Sequence, residues 1–124
     1  MPKNDTLKSL TESVVGFRDR RNWKQFHNTK DMALSLSLEV AELLELMQWR
    51  NGDDLDTHLS KHLRDVGEEL SDILYWTLLI AHDLEVDLNS AFRKKMVDNE
   101  AKYPETTARN SCKKYDQLDS NPEP

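Results

Sequence analysis

Four carboxylates stand out by their spacing. Glu39 and Glu42 lie three apart within LEVAELLEL (Leu38 to Leu46), and Glu69 and Asp72 repeat that spacing thirty positions later. The match extends to the neighbours: Leu36-x-x-Glu39-Val40-Ala41-Glu42-Leu43-Leu44 overlays Val66-x-x-Glu69-Leu70-Ser71-Asp72-Ile73-Leu74. A helix turns by about 100° per residue, so each acid pair falls on the shoulder of an apolar stripe. One stripe is Ala33, Leu36, Val40, Leu43 and Met47; the other is Leu63, Val66, Leu70 and Ile73. If the stripes pack together, the four acids face one another at the edge of a core. Carboxylates gathered there repel and resist desolvation unless a cation neutralises them. An all-oxygen donor set suits a hard divalent ion, Mg²⁺ or Mn²⁺, over zinc. A solvated acidic stripe is the competing reading of either pair alone, and its repetition on a second helix favours the metal.

The elements that must position these acids read as helices. Gly (3) and Pro (4) are scarce, the hydrophobic fraction is 37% and the charged fraction 32%, so few turn breakers interrupt a small core with a highly charged surface. Leu7, Leu10, Val14 and Phe17 predict a first helix from Asn4 to about Arg20, with Asp5 or Thr6 able to cap it. After an aromatic connector, a second helix is expected from about Lys30 to Arg50, stopped by Asn51-Gly52-Asp53. DDLDTHLSKH reads equally as a loop or an extra helical turn. A third helix covers roughly Leu59 to Leu84, and Asp87 caps a fourth that ends near Tyr103, before Pro104. The organisation expected is one helical domain over 1–104 and a polar tail over 105–124, ordered only if something holds it. A small helical chain of this kind often completes its burial by self-association.

Composition excludes several function classes. The formal net charge of −6 argues against attraction to a nucleic-acid backbone, though a metal ion can still bring a small phosphorylated ligand to an acidic protein. The single Cys112 allows no internal disulfide framework and fits a reducing compartment. MPKNDTLKSLTES has no apolar core of signal-peptide type, and no segment approaches the ~18 apolar residues a membrane span needs. The expected address is the cytoplasm, with neither nucleic acid nor membrane as a partner.

Four blocks in order now resemble one family. They are WKQFH (Trp23 to His27), LEVAELLELMQW (Leu38 to Trp49), EELSDILYW (Glu68 to Trp76) and KMVDNEAKYP (Lys95 to Pro104), with a weaker extension through ARNSCKKY (Ala108 to Tyr115). Together they resemble the all-α nucleoside triphosphate pyrophosphatases of the MazG-like superfamily, which includes dimeric dUTPases, and most closely its dCTP pyrophosphatase branch. The resemblance implies an antiparallel four-helix bundle, dimeric or paired into a homotetramer, with active sites shaped by more than one subunit. It implies Mg-dependent hydrolysis of a dNTP to dNMP and pyrophosphate, with dCTP-like substrates leading and a house-cleaning role in the nucleotide pool. Glu39, Glu42, Glu69 and Asp72 are the implied metal ligands and catalytic residues, and either Glu39 or Glu42 could be the general base. Glu45 and Glu68 point elsewhere on their helices and are left in supporting roles.

The same resemblance assigns substrate contacts. Lys95, Asn99 and Lys102 share one helix face at i, i+4 and i+7 and match the residues that hold the triphosphate. Lys102 stands where many relatives carry arginine, keeping the charge without the bidentate fork. Trp23, Trp49 and Tyr103 match a base-lining role, with Trp76 beside Asp72 on the same face and His27 among the substrate contacts; stacking suits any nucleobase because every base has a π-face. The plainer readings are a solvated basic face for the lysines, core or seam packing for the tryptophans and a structural hydrogen bonder in His27. Two rivals come from other classes. One is a non-catalytic helical interaction module with solvated acidic faces. The other is a carboxylate-bridged redox-metal bundle, disfavoured because the chain has no Glu-x-x-His.

Overall fold

A computed structural model describes residues 4–118. Among these the regular structure is entirely helical: α1 (Leu7–Asp19), α2 (Thr29–Glu45), α3 (Gly52–Lys61), α4 (Leu63–Asp83), α5 (Leu88–Lys102) and α6 (Glu105–Ala108). Two short 3₁₀ turns, Lys24–Phe26 and Tyr115–Gln117, complete it. The described residues divide into two compact units, one ending at Val86 and the other beginning at Asp87.

The first unit holds α1 to α4. Thr6 starts α1 through a capping box, its hydroxyl accepting from the Ser9 N–H at 3.1 Å while the Ser9 hydroxyl accepts from the Thr6 N–H at 2.8 Å. That reciprocal pair satisfies two of the donors a helix start leaves open, which places the start three residues after the expected Asn4. Asn28 caps α2 by accepting from the Asp31 N–H at 2.8 Å. The second helix ends at Glu45, five residues short of expectation, because residues 46–49 tighten into turns and Trp49 takes a left-handed φ of 68°. Asn51 and Gly52 then act as a start signal where a stop was expected: the ambiguous DDLDTHLSKH folds as α3. The third long helix consequently begins at Leu63 and not at Leu59.

Packing in this unit centres on α4, against which α2 and α1 lie. Among the described residues Met32, Leu78, Leu79 and Ala81 form the buried apolar core. His27, just before α2, meets Trp76, whereas Glu39 further along meets Glu69 and Asp72, so α2 and α4 run in opposite senses. The two expected stripes are only partly covered in the single chain. Leu36, Leu43, Met47, Val66 and Ile73 are half-buried, but Ala33, Val40, Leu63 and Leu70 are exposed, Leu63 at 66%. One partner helix covers one side of a stripe this wide and leaves the other open.

The second unit is built on α5. Asp87 caps it by accepting from the Ser90 N–H at 3.2 Å, and the chain leaves it at Tyr103-Pro104. Beyond Pro104 the segment is not featureless: it forms α6, a turn through Asn110 at φ 63°, and the 3₁₀ turn at Tyr115.

Candidate active site

The acids of α2 and α4 converge. Glu39, Glu69 and Asp72 each present a carboxylate oxygen, and these oxygens lie within 4.8 Å of one another. Glu42 stands outside that tight group, one turn along α2, yet close enough that its charge acts on both Glu39 and Glu69. Burial pushes the Glu39 carboxyl up to about 7, with the neighbouring Glu69, Asp72 and Glu42 carboxyls adding to the effect. Glu69 is raised too, first by burial and then by Glu42. One buried oxygen on each of these residues, Glu39 Oε2 and Glu69 Oε2, has no hydrogen-bond partner. Buried acceptors without donors cost free energy, and like charges at this range compound it. A hard divalent cation answers both problems, and the donor set fits one.

The cluster opens onto a cavity of about 530 Å³ whose walls include Glu39 and Asp72. Its remaining lining is largely aromatic: Phe17, Trp23, His27, Tyr75 and Trp76, with Ser13 and Val14 from α1. The rings support one another edge to face. Trp76 meets Tyr75 at 5.0 Å and His27 at 5.3 Å, while Phe17 meets Trp23 at 5.8 Å and Tyr75 at 6.2 Å. Such T-shaped contacts fix ring orientation, and the Arg21 guanidinium covers one face of Phe17 at 3.7 Å. A cavity this size suits a small molecule with an aromatic part.

Of the sequence-predicted residues, the first unit thus brings together Glu39, Glu42, Glu69, Asp72, Trp23, His27 and Trp76. It does not bring in Trp49, which is 89% exposed on the turn after α2 and lies outside the cavity lining. The left-handed turn that ends α2 early swings that ring into solvent in the single chain. Lys95, Asn99, Lys102 and Tyr103 belong to the second unit. There Lys95 and Lys102 are exposed, Asn99 is half-buried, and Tyr103 follows the last turn of α5, its N–H donating to the Asn99 carbonyl at 2.8 Å.

Sequence reading missed four lining residues and one structural pair. Ser13, Val14 and Phe17 share a face of α1, and their spacing signalled only an apolar face; Tyr75 was passed over beside Trp76. The pair is Arg18 with Asp83, a bidentate contact at 2.7 and 2.9 Å across 65 positions. Arg18 is 1% exposed. Its guanidinium holds the Asp83 carboxyl well below the usual carboxylate range. His27 feels it as well: burial first, then the Arg18 charge, lowers the imidazole from its ordinary value. Both effects favour the neutral form of the ring that lines the cavity.

A helical unit that gathers carboxylates from two helices beside an aromatic cavity has the donors for a hard cation and the room for a small ring-bearing ligand. The chain belongs to the MazG-like family, whose model matches residues 34–118. It is 37% identical over 115 residues to dCTP pyrophosphatase 1 of Homo sapiens, covering 91% of this chain and 68% of that protein. The mouse protein of the same name is 35% identical with the same coverage. Among solved structures, a pyrophosphatase from Archaeoglobus fulgidus superposes with a TM-score of 0.76 at 35% identity, covering 84% of this chain and 97% of that one.

Proposed function

We propose that this protein hydrolyses nucleoside triphosphates to the monophosphate and pyrophosphate, with Mg²⁺ as the working ion and dCTP-like pyrimidine deoxynucleotides favoured. It is a hydrolase of the nucleotide pyrophosphatase class. The observation that carries the reading is the meeting of Glu39, Glu69 and Asp72 at the wall of an aromatic cavity. Membership of the MazG-like family and likeness to dCTP pyrophosphatases support the substrate class.

The roles follow from the chemistry. Glu39, Glu69 and Asp72, with Glu42 alongside, hold the divalent ion. Bound there, such an ion supplies Lewis-acid neutralisation of the phosphate charge that otherwise blocks attack at the α-phosphorus. Trp23, His27 and Trp76 receive the base by stacking, and the neutral imidazole of His27 offers a hydrogen bond without adding charge. Either Glu39 or Glu42, one turn apart on α2, takes the proton of the attacking water. Lys95, Asn99 and Lys102 on α5 are assigned to the triphosphate, with Tyr103 and Trp49 as further base contacts.

We also propose that the helices complete an antiparallel bundle in a homodimer or homotetramer working in the cytoplasm. Exposed leucines at i, i+4 on α2 (Leu34 and Leu38) and on α4 (Leu70 and Leu74) support self-association, since a surface this apolar favours cover. Among the described residues no helix is long and apolar enough to cross a membrane.

The test is pyrophosphate release from a panel of dNTPs and NTPs with Mg²⁺ and with Mn²⁺. Release of pyrophosphate, fastest from dCTP, is the expected result. No release from any nucleotide, with folded protein, overturns the reading.

A further inference from the structure

In the second unit, the chain returns to the end of α5 and sets an aromatic ring over a lysine. Lys102 Nζ lies 4.9 Å from the centroid of the Tyr115 ring. The same ring meets Tyr103 edge to face, with centroids 6.2 Å apart and planes at 87°. Two features bring Tyr115 back across thirteen positions: the turn through α6 and Asn110, and the 3₁₀ turn in which the Gln117 N–H donates to the Lys114 carbonyl at 2.8 Å. Among the described residues no carboxylate pairs with Lys102.

We propose that Tyr115 is a positioning residue for the Lys102 ammonium: it pre-orders that charge for the triphosphate and so couples the fold of the C-terminal segment to substrate affinity. The inference rests on the assignment of Lys102 to the triphosphate made above. A lysine is a point charge on a flexible stem, and ordering such a stem on binding lowers affinity. The negative face of a phenol ring attracts the ammonium electrostatically and restricts its stem beforehand. That attraction comes through the ring and not through a hydrogen-bond acceptor, so the ammonium keeps its donors for phosphate oxygens. Tyr103 holds the Tyr115 ring at its edge, and Tyr103 is itself tied to α5 by its N–H. The Tyr115 hydroxyl has no part in this, so a phenyl ring should serve as well.

The experiment compares Lys102→Ala, Tyr115→Leu, Tyr115→Phe and the Lys102→Ala/Tyr115→Leu double variant of the full chain. KM and kcat for dCTP are measured with Mg²⁺ at two salt concentrations, and NMR follows the Lys102 methylene protons. Lys102→Ala is expected to raise KM roughly tenfold or more, as loss of a charged hydrogen bond does. Tyr115→Leu should raise KM by about two- to fivefold, the value of an exposed cation–π contact, with kcat unchanged. It should also abolish the ring-current shift at Lys102. Tyr115→Phe should keep both, and Tyr115→Leu should add nothing in the Lys102→Ala background. If Tyr115→Leu raises KM equally with and without Lys102, or leaves KM unchanged while Lys102→Ala raises it, the positioning role is wrong and the phosphate assignment stands. If Lys102→Ala leaves KM unchanged, the phosphate assignment falls and the positioning role falls with it.

Discussion

The acidic cluster and the Arg18–Asp83 pair lie in the same helical unit and handle buried charge in opposite ways. At Asp83 the counter-charge is a side chain of the same chain, delivered by two short hydrogen bonds, and the carboxyl is held below its usual range. At Glu39 and Glu69 the near neighbours are other carboxyls, both groups are raised, and two buried oxygens lack donors. The first arrangement supplies its own counter-charge and serves structure, although Arg18 Nε is buried without a hydrogen-bond partner. The second has no such partner within the chain, and its donor set fits a cation from outside. His27 records the difference, since its imidazole is lowered by burial and by Arg18 and raised by Asp83 while its ring lines the cavity.

The largest effect should come from breaking the Arg18–Asp83 pair. Arg18→Met leaves Asp83 as a half-buried charge without its partner and should destabilise the fold by about 3–5 kcal/mol, measured by urea unfolding. A loss below about 1 kcal/mol would mean that the pair contributes no more than a surface one. Next comes the acidic cluster. Glu39→Gln and Asp72→Asn should each lower pyrophosphatase kcat by about 10²–10³-fold, as removal of a placed electrostatic group does. Each should melt no lower than the parent, because a repulsion leaves with the charge. Full activity in either folded variant would show that the cluster is not the reaction site.

The two regions also predict opposite pH slopes for the metal-free protein. Glu39 is raised in the fold from its ordinary 4.5 to about 7, so its contribution to stability is full below about 4.5 and is lost as pH rises through about 7. Asp83 is lowered, so its contribution is full above its ordinary 3.8 and is lost as pH falls through its depressed folded value. Melting temperatures in EDTA should therefore fall from pH 5 to pH 8, by ~4 °C for each kcal/mol lost. Mg²⁺ should raise the pH 8 value more than the pH 5 value, and Glu39→Gln should flatten the slope; a flat parent profile would contradict the burial of Glu39. The smallest effect is at His27. Asp83→Asn removes the one charge that raises its imidazole, so its titration by NMR should move further below the ordinary value. An upward move would mean that Arg18 no longer faces that ring.

Much of this was legible in the chain. The thirty-residue echo located the acids, and α2 and α4 bring three of the four within 4.8 Å. Helix identity followed from period and from the caps at Thr6 and Asp87, though Asn51-Gly52 was read as a stop because the same residue types punctuate both ends of helices. Trp49 could not be placed, since a left-handed backbone at a tryptophan leaves no trace in hydrophobic periodicity. The α1 wall of the cavity was hidden for another reason: Val14 and Phe17 carry the pattern of any buried face, and nothing local says whether that face meets a core or a cavity.

The sequence by itself determined the helices, the acids on their shoulders and the demand for positive charge, because these depend on residues within a few turns of one another. Tertiary structure alone decided that Arg18 finds Asp83, that four aromatic rings and a histidine enclose a cavity beside Glu39 and Asp72, and that Tyr115 returns to Lys102. Those contacts join positions distant in the chain, and their geometry is fixed by how helices pack, which no local pattern encodes.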